Sequence, residues 1–155
     1  MQYISTRGRA PKVDFKGALL AGLASDGGLY VPESIPQFSP QKIAGFASLN
    51  YADLALEIMM PFVGESFTRA EMKRMIDAAY SNFRHAAIAP LTQIAAQHFV
   101  LELFHGPTLA FKDFALQLLG HLLEASLPNN TKAVVLGATS GDTGSAAMAG
   151  CMGRE

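Results

Sequence analysis

Apolar positions along the first half of the chain recur at helical spacing. Thr68-Arg69-Ala70-Glu71 has the form of a capping box, in which a Thr cap and a Glu three residues on satisfy two orphan backbone donors. Behind it, Met72, Met75, Ile76, Ala79, Tyr80 and Phe83 draw one apolar stripe, which predicts a helix packed into a core. A second helix is expected from about Asp14 to Ala24, ending at Asp26-Gly27-Gly28. A third is expected from about Asn50 to Met60, stopped by Pro61. Between these two, Pro32, Pro36 and Pro40 predict extended or loop backbone.

The pattern changes in the second half. Residues 98–104, HFVLELF, form a dense apolar run of strand length. Phe111, Ala115, Leu118, Leu119 and Leu122 then return to helical spacing. Residues 132–137, KAVVLG, are a second apolar, β-branched run, and the glycine-rich ATSGDTGSAAMAG follows with small helix formers. Strand, helix, strand, loop, helix predicts an α/β fold with a parallel βαβ unit, its strands covered on both faces. The expected organisation is a mostly helical N-terminal domain over residues 1–85 and the beginning of an α/β domain over 86–155. Two parallel strands with open edges do not make a stable sheet. The expectation is therefore an N-terminal piece of a longer protein, or a chain that folds with material from elsewhere.

Composition narrows the classes. The chain has 155 residues, a formal net charge of −1, 50% hydrophobic and 16% charged residues, which suits a globular core and gives no basic footprint for nucleic acid. No apolar run reaches membrane-spanning length, and the N-terminus has no signal-peptide pattern. One cysteine, Cys151, permits no internal disulfide and no multi-cysteine zinc site. It reads as a small buried hydrophobe in a cytoplasmic protein.

Two stretches carry chemistry. The first is GATSGDTGSAA, Gly137 to Ala147, which leaves a strand, turns through Gly141 and Gly144, and opens a helix. Unpaired N–H groups and partial positive charge at a helix start suit an anion, and Thr139, Ser140 and Thr143 add hydroxyls. Neither the P-loop nor the dinucleotide pattern fits. The alternative is an ordinary glycine-rich turn with Asp142 as helix cap. The second stretch is HGPTLAFKDFALQ. Lys112 falls in or near the first turn of a helix, where the macrodipole disfavours a cation, and Leu109, Phe111 and Phe114 surround it with apolar surface. Both effects favour a neutral, nucleophilic amine. A Lys112–Asp113 surface pair is the competing reading.

HGPTLAFKDFALQ resembles the cofactor-lysine motif of the threonine synthase family, pyridoxal-phosphate (PLP) enzymes of the tryptophan-synthase-β-like fold. GATSGDTGSAA resembles that family's loop after the next strand. YISTRG, Tyr3 to Gly8, and SDGGLYVP, Ser25 to Pro32, resemble its N-terminal segments. The resemblance implies that Lys112 holds PLP covalently and shuttles protons once freed. It implies that Ser140, Gly141, Asp142, Thr143 and Gly144 line the site, that Thr139, Ser140 and Thr143 grip a substrate carboxylate, and that Asp142 sits near the cofactor's ring hydroxyl. The implied reaction converts O-phospho-L-homoserine and water to L-threonine and phosphate. Arg7, Arg9 and Lys12 are candidates for the substrate phosphate, with surface roles as the alternative. The family's cofactor-phosphate loop and pyridine-nitrogen contact have no counterpart in these residues, so the rest of a polypeptide is expected to be needed. The rival readings are an inactive N-terminal fragment without cofactor, and a related PLP lyase acting on another phosphorylated amino acid.

Overall fold

The computed structural model describes residues 1–154. They form two compact units, Met1–Lys73 and the segment from Arg74 onward.

In the first unit, β1 (Tyr3–Ser5) pairs antiparallel with β2 (Tyr30–Pro32), Tyr3 opposite Pro32. Asp26 ties the neighbouring loops together by accepting from the Ser5 hydroxyl at 2.7 Å and the backbone N–H groups of Arg9, Ala10 and Gly28 at 2.9–3.0 Å. Helix α1 (Phe15–Ala21) begins at Asp14, whose carboxylate accepts from the Gly17 N–H at 2.7 Å, a standard N-cap. Phe15 packs edge-on to Tyr3 and Phe67, with ring centroids 6.1 and 6.2 Å apart.

Ser39 caps a short helix, α2 (Pro40–Gly45), with Pro40 in its first position. The loop expected there gives way because a proline at the first helical position loses no hydrogen bond. Helix α3 (Tyr51–Val63) is capped by Asn50 and runs through Pro61 rather than stopping before it. A proline so near the end deletes only the bond to the Glu57 carbonyl, and the Gly64 N–H closes the helix on the Met60 oxygen at 3.0 Å.

Helix α4 (Arg69–Tyr80) carries the boundary between the units. Its capping box is present: the Thr68 N–H donates to Glu71 at 2.7 Å, and the Glu71 N–H donates to Thr68 Oγ1 at 3.2 Å. The stripe of Met72, Met75, Ile76, Ala79, Tyr80 and Phe83 is buried at every position.

In the second unit, β3 (Leu91–Ala95) and β4 (His98–Leu101) form an antiparallel hairpin across a two-residue turn. The mixed α/β character holds, but the parallel pairing expected of residues 98–104 and 132–137 is not formed. A tight hairpin closes a much shorter loop than a helical crossover, so β4 takes its neighbour from β3. Among the described residues, 132–137 join no ladder, and Val134 and Leu136 are 89% and 96% exposed.

Helix α5 (Asp113–Glu124) buries Asp113, Gln117, Leu118, Gly120 and Leu122, whereas Phe111 and Ala115 of the expected stripe are exposed. Its buried face meets α6 (Asp142–Cys151) through Gly120 and Gly150. A Cβ on Gly150 would lie 2.4 Å from the Leu116 carbonyl oxygen, so the two backbones touch. Cys151 is exposed, not buried as expected, because it lies one position round α6 from the Gly150 contact. Among the described residues no helix is long and apolar enough to cross a membrane.

Candidate active site

The loop before α5 turns twice. The Leu109 N–H bonds to the Gly106 carbonyl at 3.2 Å, and the Asp113 N–H to the Ala110 carbonyl at 3.0 Å. Leu109 adopts a positive φ of 66°. Lys112 occupies the N-cap of α5 in helical conformation, and its side chain makes no cap bond. Its amine lies 4.4 Å from the Phe111 ring centroid and 3.9 Å from Asp142 Oδ2. The lysine side chain is 28% exposed and that of Asp142 78%. The surface pair with Asp113 does not exist, because Asp113 is fully buried and bonded to Thr108.

The loop before α6 is built by Thr139. Its Oγ1 accepts from the N–H groups of Gly141 at 3.0 Å and Gly144 at 3.1 Å. Gly141 sits at the N-cap with φ of 140°, a conformation suited to glycine, so Asp142 is the first helical residue rather than the cap. A Cβ on Gly144 would meet Thr139 Oγ1 at 3.0 Å. The N–H groups of Asp142 and Thr143 precede the first intrahelical bond, from the Ser145 N–H to the Gly141 carbonyl, and remain open to a ligand.

Lys112, Phe111, Leu103, Phe114, Leu116 and Thr143 line an open cleft of about 600 Å³. Thr139, Thr143 and Gly144 line an adjoining cleft of about 680 Å³ with Leu116, Val135 and Met148. The structure thus brings Lys112, Asp142 and Thr143 together at the start of two helices. Thr139, Gly141 and Gly144 shape the loop, and Ser140 is exposed beside them. Arg7, Arg9 and Lys12 belong to the first unit, where Arg7 donates to the Asp26 carbonyl and Lys12 pairs with Glu33. Among the described residues no group of three or more His, Cys, Asp or Glu could hold a metal ion. Sequence reasoning overlooked the Thr108–Asp113 closure. Its signal was an acid directly after the lysine, which suits a helix first turn as well as a surface pair.

The family described as Threonine synthase N terminus matches residues 2–80. The chain belongs to that family. Threonine synthase of Pseudomonas aeruginosa is 57% identical over 152 residues, covering 97% of this chain and 32% of that protein. Threonine synthase of Schizosaccharomyces pombe is 44% identical over 165 residues, covering all of this chain and 32% of that protein. The crystal structure of PLP-bound threonine synthase from Brucella melitensis superposes with a TM-score of 0.97 at 50% identity, covering 100% of this chain and 34% of that one. The chain therefore spans about a third of the length of the threonine synthases it matches.

Proposed function

We propose that this chain is the N-terminal third of a PLP-dependent threonine synthase, which converts O-phospho-L-homoserine and water to L-threonine and phosphate. The observation that carries the reading is the Lys112 amine held 3.9 Å from Asp142, beside an apolar cleft and a helix start with open N–H groups. These residues fit PLP and its substrate. A lysine amine suits the cofactor's aldehyde, an aromatic and aliphatic wall suits a planar ring, and hydroxyl and amide donors suit a carboxylate.

Lys112 would hold the cofactor and, once freed, move protons at its Nζ. Thr139, Ser140 and Thr143, with the open backbone N–H groups of Asp142 and Thr143 on a loop shaped by Gly141 and Gly144, would orient the substrate carboxylate. Asp142, whose carboxylate lies 3.9 Å from the Lys112 amine, would sit near the cofactor's ring hydroxyl. Bound PLP supplies an electron sink for negative charge on the substrate carbons. The second half of the cleft, including the grip on the cofactor phosphate and ring nitrogen, comes from the rest of the polypeptide. On this reading residues 86–155 begin the PLP-binding domain and residues 1–85 form the helical domain before it. The isolated 155-residue chain then lacks activity, because residues 132–137 stand open where a cofactor domain must be closed.

The test uses the full-length protein. PLP is added, the complex is reduced with borohydride, and the modified peptide is sequenced by mass spectrometry. Label on Lys112, its loss in Lys112→Ala, and threonine formation from phosphohomoserine support the reading. Label on another lysine, or none, overturns it.

A further inference from the structure

Asp113 is a fully buried acid for which the reaction has no use. Its neighbour Lys112 reaches the cleft, while Asp113 turns inward. Asp113 Oδ2 accepts from the Thr108 N–H at 2.8 Å, and Oδ1 accepts from the Thr108 hydroxyl at 2.7 Å. These two bonds close a ring of backbone from Thr108 to Asp113. Phe111 and Lys112 lie inside that ring. Gly106 seals it from the other side, since a Cβ there would fall 2.4 Å from Asp113 Oδ2 and 2.5 Å from Asp113 Cβ.

Such an arrangement is costly without a purpose. Burying a carboxyl group requires every acceptor to be met, and the segment also accepts a positive φ at Leu109. The return is rigidity at one point, the backbone of Lys112, which has no side-chain cap of its own to hold it. A flexible side chain presented from a fixed Cα explores far less volume than one on a mobile loop, and amine chemistry depends steeply on that placement.

We propose that Asp113 is a positioning residue: its bidentate hold on Thr108 closes the loop that presents the Lys112 amine to the cleft. The proposal rests on the reading of Lys112 as the cofactor lysine, and it names the part of the chain that serves it. Asp113 does not touch the reacting atoms.

The test is made on the full-length protein with Thr108→Val, Thr108→Ser, Asp113→Ala and Asp113→Asn. Thr108→Val removes one bond and keeps the backbone one. Thr108→Ser and Asp113→Asn can retain both contacts, since an Asn side chain can accept from the Thr108 N–H and donate to its hydroxyl. Two readouts are taken: the rate of borohydride-trapped PLP attachment at Lys112, and acetylation of Lys112 by acetic anhydride in the cofactor-free protein, with Lys132 as internal control. Attachment is expected to slow roughly 10-fold or more in Thr108→Val and Asp113→Ala, and to return in Thr108→Ser and Asp113→Asn. Acetylation at Lys112 should shift in the same two variants while Lys132 stays constant. If Asp113→Ala fails to fold by circular dichroism, Thr108→Val decides. Wild-type attachment and acetylation in a folded Thr108→Val overturn the proposal. Absence of PLP attachment in the wild type overturns the cofactor reading instead, and acetylation alone still decides whether the Thr108–Asp113 closure governs the Lys112 amine.

Discussion

Gly120 of α5 lies against Gly150 of α6 so closely that a Cβ on Gly120 would sit 2.1 Å from the Gly150 carbonyl oxygen. This contact sets how α6, and the Thr139–Gly144 loop at its start, stand against the helix that begins at Lys112. Helix propensity alone makes Gly→Ala stabilising by about 1 kcal/mol in a helix interior. The contact reverses the sign. Gly120→Ala is expected to destabilise by ~1–3 kcal/mol through overpacking, read as a lower urea midpoint. A higher midpoint would show that the two backbones do not meet.

Asp26 is held well below the usual carboxylate range. The Ser5 hydroxyl is the first cause, and the N–H groups of Gly28, Arg9 and Ala10 add to it against the pull of desolvation. A group with a depressed folded pKa contributes stability that is present above its unfolded pKa of about 4 and lost as pH falls towards the folded value. Wild type should therefore melt higher than Asp26→Asn at neutral pH, and the gap should narrow as the medium is taken below pH about 4. A gap that stays constant with pH would rule out the linkage.

His121 titrates below the ordinary histidine range, first because it is partly buried and second because the Arg154 guanidinium faces it, with Nη1 2.6 Å from Nδ1. Glu124 pulls weakly the other way. Its depressed pKa favours the folded state above about 6.5 and costs stability as pH falls below that. Replacing Arg154→Gln should raise the His121 value, measured by NMR titration, yet leave it below the ordinary range because burial remains. Full return to the ordinary range would assign the whole effect to Arg154.

The Gln117 amide nitrogen is buried and has no hydrogen-bond partner among the described residues. An unmet buried donor costs about 1–3 kcal/mol, and a side chain of similar shape without it avoids that cost. Gln117→Met should raise the urea midpoint of this chain. A drop would mean that the amide is satisfied in solution.

Much of the local structure was legible in the residues. The Thr68–Glu71 box and the stripe behind it need only near neighbours to act, and both stand as read. Pro61 misled because its penalty depends on how much helix follows it, and only Phe62 and Val63 do. The run at 98–104 was rightly strand-like over its first half, but Leu91–Ala95 beside it, which has no clean apolar–polar alternation and is exposed throughout, went unread, and with it the hairpin. The motif residues around Lys112 and Asp142 were visible as chemistry, whereas the division of labour between Lys112 and Asp113 was not.

The sequence by itself determined the starts of α1, α3 and α4, the turn glycines and the two segments that bear hydroxyls, an acid and a lysine. These follow from backbone hydrogen bonding and side-chain character within a few residues. Only the tertiary structure decided which strand β4 pairs with, that Lys112 faces Asp142 across 3.9 Å, and that the adjacent acid turns inward to Thr108. The hairpin decides the first and the turn at Thr108 the last, while the approach of Lys112 to Asp142 depends on how closely α5 and α6 pack, a distance set by two glycines thirty positions apart whose effect appears only when their backbones touch.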